Sequence, residues 1–292
     1  MNLLEVSDLN VSFPTRSGMF EAVRGVSFTL GEERLGIVGE SGSGKSLTGR
    51  SILRLIRPPG RLSAGSIKLE GEDLLAMSER QMRAVRGQRI SMVMQDPKFS
   101  LNPVMRVGDQ IVEAYRQSGN TNRKERKRRA LAMLEAVAIR DPERVFNAYP
   151  HEMSGGMGQR IMIAMMLIPN PRILIADEPT SALDVTVQMQ VLKIMDSLVR
   201  DRGMGLIFIS HDLNLVSSFC DRVLIMYAGR VVESCRADQL YQAKHPYTQG
   251  LLESMPRLDA PRERLAVLKR EESWKEPLVV TSKKSTSGVY GE

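Results

Sequence analysis

Leu35-Gly36-Ile37-Val38-Gly39-Glu40-Ser41-Gly42-Ser43-Gly44-Lys45-Ser46 is the stretch that decides the fold. A short apolar strand, residues 35–38, runs into a glycine-rich loop, and helical periodicity from Ser46 to Ile56 follows until Pro58-Pro59-Gly60 stops it. Strand, loop and helix in that order are the context in which G-x-x-x-x-G-K-[ST], met by residues 39–46, marks a phosphate-binding loop rather than a chance glycine turn. Glycines let backbone N–H groups close around phosphate oxygens, and the positive end of the helix dipole adds attraction. In such a loop Gly39, Glu40, Ser41, Gly42, Ser43 and Gly44 wrap the phosphates; Lys45 reaches the β- and γ-phosphates, and Ser46 ligates Mg²⁺ through its hydroxyl.

On the N-terminal side, Leu4, Val6, Leu9, Val11 and Phe13, then Val23, Val26, Phe28 and Leu30, alternate as antiparallel strands at a sheet edge. On the C-terminal side, residues 66–70 and 90–94 read as strands, the second ending just before Gln95. From about Asp96 to Met166 helical periodicity replaces the strand pattern, which predicts a helical insertion. Residues 172–176 and 205–209 are continuous apolar runs, the pattern of strands buried on both faces of a parallel sheet. Val185 to Arg202 between them is helix-like and completes a crossover; residues 223–226 and 230–233 finish the sheet. A helix-like patch near Tyr247 to Met255 precedes a charged, Pro-punctuated tail whose tip is expected to be disordered.

The composition agrees with an ordinary globular protein: 292 residues, 42% hydrophobic and 26% charged, with a formal net charge of +7. Two cysteines, Cys220 and Cys235, support neither a disulfide framework nor a four-thiolate metal site. The longest apolar run, Ile161 to Ile168, is far short of the roughly 20 residues a spanning helix needs, and the N-terminus lacks the pattern of a signal peptide, so a cytosolic location is expected. The basic run Arg123 to Arg129 is not interleaved with aromatics and reads as a solvated helix face, so no nucleic-acid partner is expected.

Two further features belong at the carboxyl ends of strands, where open α/β sheets bind ligands. Asp177-Glu178 follows the run ending at Ala176: Asp177 is expected to hold Mg²⁺ and Glu178 to act as general base on the attacking water. Taken alone, such a pair is more often a turn or helix cap; beside a phosphate loop the preference reverses. His211 follows Ile209-Ser210, and a lone histidine is usually structural, but on this sheet edge it can meet a γ-phosphate. Ser154-Gly155-Gly156-Met157 opens an apolar helix, alone only an N-cap and in company a second anion site.

As a set, these residues resemble the nucleotide-binding subunits of ABC transporters over about residues 3–258: the loop 39–46, Gln95 as Q-loop glutamine, Ser154-Gly155-Gly156 at the signature, Asp177-Glu178-Pro179, Ser181-Ala182-Leu183-Asp184 as D-loop, and His211 as switch histidine. The resemblance implies an α/β P-loop ABC ATPase with a RecA-like core sheet, an N-terminal antiparallel β-subdomain and a helical signature subdomain at about 96–166. It also implies ATP and Mg²⁺ as ligands, the metal held by Ser46, Gln95 and Asp177, and a catalytic set of Glu178, His211 and Gln95. ATP would lie between the loop of one subunit and Ser154, Gly155 and Gly156 of the other in a head-to-tail dimer. Phe13 would stack on adenine, with Phe20 the second choice.

Gln95-Asp96-Pro97, Ser100-Leu101-Asn102-Pro103 and above all His245-Pro246-Tyr247-Thr248 resemble the subgroup serving oligopeptide, dipeptide and nickel importers. This implies an ATPase subunit at the cytoplasmic face of the cell membrane, paired with a different second ATPase subunit and two permease subunits. A solute-binding protein outside would set the solute, peptide in the first reading and nickel, a metallophore or an opine-type solute in the second. A soluble accessory ABC ATPase of the phosphonate-breakdown type is the rival reading. The expected division is a nucleotide-binding domain over 1–235 and a C-terminal extension over 236–292. Met157 and Gly158 depart from the subgroup's usual signature, and no cysteine follows Cys235, so an iron–sulfur cluster in the extension is not expected.

Overall fold

The computed structural model describes residues 2–94, 101–116, 122–180, 183–254 and Trp274. Gln95, Asp96-Pro97, Ser100, Ser181-Ala182 and, Trp274 apart, the tail from Met255 onward lie outside the described residues.

β1 (Leu4–Thr15) and β2 (Gly18–Leu30) form a long hairpin with Leu4 opposite Leu30 and Thr15 opposite Gly18. β3 (Arg34–Val38) leads through the glycine-rich loop into α1 (Lys45–Ile52). β4 (Arg61–Ser63), β5 (Ser66–Leu69) and β6 (Glu72–Asp73) return to the hairpin, giving an antiparallel sheet ordered β2-β1-β5-β6 with β4 also beside β1. α2 (Glu79–Val85) precedes β7 (Ile90–Val93), and α3 (Val107–Arg116), α4 (Arg123–Ala136), α5 (Pro142–Asn147) and α6 (Gly155–Leu167) make up the expected helical insertion. β8 (Ile173–Asp177), α7 (Val185–Arg202), β9 (Gly205–Ser210), α8 (Leu213–Phe219), β10 (Arg222–Tyr227), β11 (Arg230–Arg236) and α9 (Pro246–Glu253) follow.

The second sheet has the order β11-β10-β3-β9-β8-β7, parallel throughout except for the antiparallel β11 edge. Its central strands are apolar on both faces because each face feeds a different core. Leu35, Ile37, Ile173, Ile175, Ile207 and Ile209 point to a core shared with the antiparallel sheet and α1. Val38, Leu174, Ala176, Leu206 and Phe208, one position out of phase, point to a core shared with α6, α7, α8 and the helical insertion. The register sets Val38 opposite Ser210 and Asp177 opposite Ile209, so β3, β8 and β9 end together on one sheet edge.

The opening strands form an antiparallel sheet of their own, as the expected N-terminal β-subdomain requires. Two expectations need correcting in detail. The first helix ends at Ile52, not Ile56: Arg54 turns left-handed at φ 52°, and Leu55 N–H returns to the Arg50 carbonyl. The Arg54 guanidinium holds that turn by donating to the carbonyls of Leu74 and Met77 at 3.2 and 2.6 Å. Finally, α2 and α8 are helices that the apolar periodicity did not reveal.

Candidate active site

The glycine-rich loop is clamped from outside by backbone. A Cβ at Gly44 would come within 2.7 Å of the Ala22 carbonyl on β2, and one at Gly39 within 2.1 Å of the Met226 carbonyl on β10. Both glycines have positive φ, 100° and 156°, so conformation and space alike exclude a side chain there. Gly229 N–H, in the turn after β10, donates to the Ser43 carbonyl at 3.1 Å. Glu40 N–H donates to the phenol oxygen of Tyr247 on α9 at 3.3 Å.

Inside the loop, Lys45 is buried at 6% exposure and donates through Nζ to the carbonyls of Gly39 and Glu40 at 2.7 and 2.8 Å. Burial lowers its pKa against the opposing pull of Glu178 and Asp177, so the ammonium is short of solvation and gains from an added anion. Ser46, in the first turn of α1, donates its hydroxyl proton to Asp177 Oδ1 at 2.8 Å. Asp177 is 2% exposed, and its burial raises the carboxyl pKa although Ser46, Arg50 and Lys45 oppose the shift.

Glu178 turns out of β8 with φ 47°, a left-handed conformation uncommon for a residue with a Cβ, and its N–H is bonded to the Ile209 carbonyl at 2.9 Å. That bond aims its half-buried carboxylate toward the end of β9, where Oε1 lies 3.1 Å from Nδ1 of the exposed His211. A cavity of about 400 Å³, lined by Gly39, Glu40, Ser41, His211, Leu213 and Leu251, lies between the loop, His211 and α9. Lys45, Ser46, Asp177, Glu178 and His211 are thus gathered on one edge of the central sheet. A carboxylate within reach of a histidine, a hydroxyl beside a second carboxylate, and a buried ammonium under the glycine-rich loop form a set of groups suited to phosphoryl transfer to water.

Ser154, Gly155 and Gly156 open α6. The Ser154 side chain accepts Met157 N–H at 3.3 Å as N-cap, and both Ser154 and Gly155 are exposed. Gly156 has no room for a side chain, since a Cβ would meet Val187 of α7 at 2.9 Å. Phe13 is half-buried against the core of the antiparallel sheet, beside Gly60, whereas Phe20, directly opposite it in the hairpin register, is 57% exposed.

Three contacts at the site escaped sequence reasoning. Gln159, buried on α6, donates its amide to the Pro179 carbonyl just after Glu178 and so ties α6 to the acidic loop. Gln110, buried on α3, holds the stretch after Gln95 by accepting Asn102 N–H and donating to the carbonyls of Asn102 and Met105 at 2.9 to 3.0 Å. Tyr247 stood out only as part of a motif, with nothing in the sequence to show that it reaches the loop. Glutamines on an apolar helix face were the available signal for the other two, Gln159 with Met162 and Ile163 three and four positions on, Gln110 with Val107 and Ala114, because a buried amide needs a partner.

Fold and site together define a P-loop ATPase cassette. The family model described as ABC transporter matches residues 23–181, and that of the oligopeptide/dipeptide transporter C-terminal region matches residues 232–277. The oligopeptide transport ATP-binding protein OppD of Bacillus subtilis is 51% identical over 89% of this chain and 74% of its own length. The dipeptide transport ATP-binding protein DppD of the same organism is 48% identical over 88% and 78%. Among solved structures, the dimeric ABC transporter cassette MJ0796 is similar at TM-score 0.71 and 26% identity, covering 80% of this chain and 98% of that one. The chain belongs to the ABC transporter family, in the branch marked by the oligopeptide/dipeptide C-terminal region. It is an ABC-type ATPase, and its family binds ATP.

Proposed function

We propose that this chain is the ATP-hydrolysing subunit of a binding-protein-dependent importer for peptides, working at the cytoplasmic face of the membrane. The observation that carries the reading is the gathering of Lys45, Ser46, Asp177, Glu178 and His211 on one sheet edge in a chain whose C-terminal region is of the oligopeptide/dipeptide type. The similarity to peptide-transport ATP-binding proteins supports peptide over nickel or an opine-type solute. Among the described residues no helix is long and apolar enough to cross a membrane, and in this reading two permease subunits carry the solute path. A cleft of about 340 Å³, lined in part by Met105, Gln110, Ala114, Met165, Met166 and Pro169 beside the stretch that follows Gln95, is suited to receive a short helix from such a subunit.

In this reading the loop amides and Lys45 bind the triphosphate, and Glu178 takes the proton of the attacking water. His211, within hydrogen-bond reach of Glu178, orients that carboxylate toward the γ-phosphate. The Ser46 hydroxyl and Asp177 carboxylate, 2.8 Å apart, form a hard oxygen pair that fits Mg²⁺, with Gln95 as a third candidate. Bound there, Mg²⁺ supplies neutralisation of phosphate charge. Phe13, half-buried in the hairpin, is the first candidate to stack on adenine, and the exposed Phe20 opposite it is the second. Ser154 and Gly155, exposed at the start of α6, serve with the partly buried Gly156 the nucleotide of a second, different ATPase subunit. The domain boundary falls near residue 235.

Extraction from membranes in mild detergent tests the assembly: two hydrophobic permease subunits and a second ATPase travelling with this chain establish the importer. A soluble complex without permeases replaces it with the accessory-ATPase reading.

A further inference from the structure

Tyr247 is fully buried, yet it belongs to the C-terminal helix α9 and reaches the second residue of the phosphate loop, 207 positions earlier in the chain. Its ring packs on Tyr227, the last residue of β10, with centroids 4.4 Å apart. Trp274 closes the cluster at 5.9 Å from Tyr247, 6.0 Å from Tyr227 and 6.3 Å from His245. His245 fixes the start of α9 by accepting Tyr247 N–H at 3.1 Å, and Glu233 on β11 accepts Lys244 N–H at 2.7 Å. The cluster is therefore fastened to the same sheet edge that presents Gly229 to Ser43 and the Met226 carbonyl to Gly39.

From this geometry we propose that Tyr247 is a positioning residue for the phosphate loop, and that it couples nucleotide binding to the seating of Trp274. Gly39 and Glu40 open the wrap around the phosphates, and the Glu40 N–H is already given to Tyr247, which leaves the donors nearer Lys45 to meet the anion. Glu40 N–H lies at the loop's other end, so an acceptor there holds the loop's shape without competing for the anion. A contact that favours the phosphate-ready loop is favoured in turn when phosphate binds, because coupling between two sites is reciprocal. The inference rests on ATP binding at residues 39–46.

Trp274 is the chain's single tryptophan, so selectively excited tryptophan emission reports on this cluster alone. The full chain is titrated with Mg²⁺ and a non-hydrolysable ATP analogue, following emission in parallel with equilibrium dialysis. Emission is expected to change saturably, with the half-point found by dialysis. Tyr247→Phe, which keeps the ring and removes the acceptor, is expected to bind roughly 2- to 10-fold more weakly, the range of one hydrogen bond, with thermal stability close to wild type and the emission change reduced. Constant emission in wild type while dialysis shows binding overturns the coupling, and needs no variant to fold. Wild-type affinity in a folded Tyr247→Phe overturns the positioning role. Failure of wild type to bind the analogue at all overturns the ATPase reading and this inference with it.

Discussion

Asp177 is held at a cost to the fold. Its carboxyl lies in the low-dielectric end of β8, and desolvation outweighs the help of Ser46, Arg50 and Lys45, so its pKa in the folded chain stands above the unfolded value. The sign follows from linkage: the folded state prefers the protonated form, so this group's contribution is greatest below the unfolded pKa and is lost as pH rises through the folded one. At neutral pH Asp177→Asn is therefore expected to raise the melting temperature, by about 2–4 °C for each kcal/mol relieved, while ATP turnover falls. Calorimetry at pH 7 and at pH 4 checks it, and a gain at pH 7 no larger than that at pH 4 removes the desolvation argument. Glu178→Gln separates the neighbouring role: turnover is expected to fall about 10²- to 10⁴-fold with nucleotide binding intact. Free hydrolysis by that variant excludes Glu178 as the base. Lys45→Ala should lose nucleotide binding itself, measured by the same dialysis.

At the scale of elements, the helices that carry the site depend on their first residues. Asp184 caps α7 by accepting Val187 N–H at 3.0 Å, and Ser154 caps α6. Asp184→Ala is expected to lower stability by about 1 kcal/mol in denaturant titration, the usual worth of such a cap, and an unchanged midpoint would assign the carboxylate a purely functional role. Much of this layer was legible beforehand: α7 spans Val185–Arg202 as periodicity indicates, and the apolar runs at 35–38, 172–176 and 205–209 are β3, β8 and β9. Other boundaries were hidden for physical reasons. Apolar Leu53, Leu55 and Ile56 continue the pattern past the end of α1, where Arg54 adopts a turn usually given to glycine. α2 carries a capping box, Ser78 with Gln81, a signature readable in sequence but unused because the helix is too short for periodicity to register. Gln159 and Gln110 were not legible as site residues, since their partners are carbonyls that only the tertiary fold brings near.

For the whole molecule, the decisive property is that the central sheet serves two cores while its carboxyl edge remains open for the site. Ser154, Gly155 and Gly156 make no described contact with that edge; Ser154 and Gly155 lie exposed at the start of α6, and the proposed role for the three is to meet another subunit's phosphates. The test separates the two sites. In a mixed complex with the second cassette, Ser154→Arg on this chain is expected to suppress hydrolysis at the partner's loop, because a bulky side chain now stands where the partner's phosphates must approach. The same variant alone should bind a non-hydrolysable ATP analogue as wild type does, since the Lys45 and Asp177 geometry is untouched. If instead the isolated variant loses binding and the partner's site keeps its rate, the signature serves its own loop, and the head-to-tail arrangement is wrong.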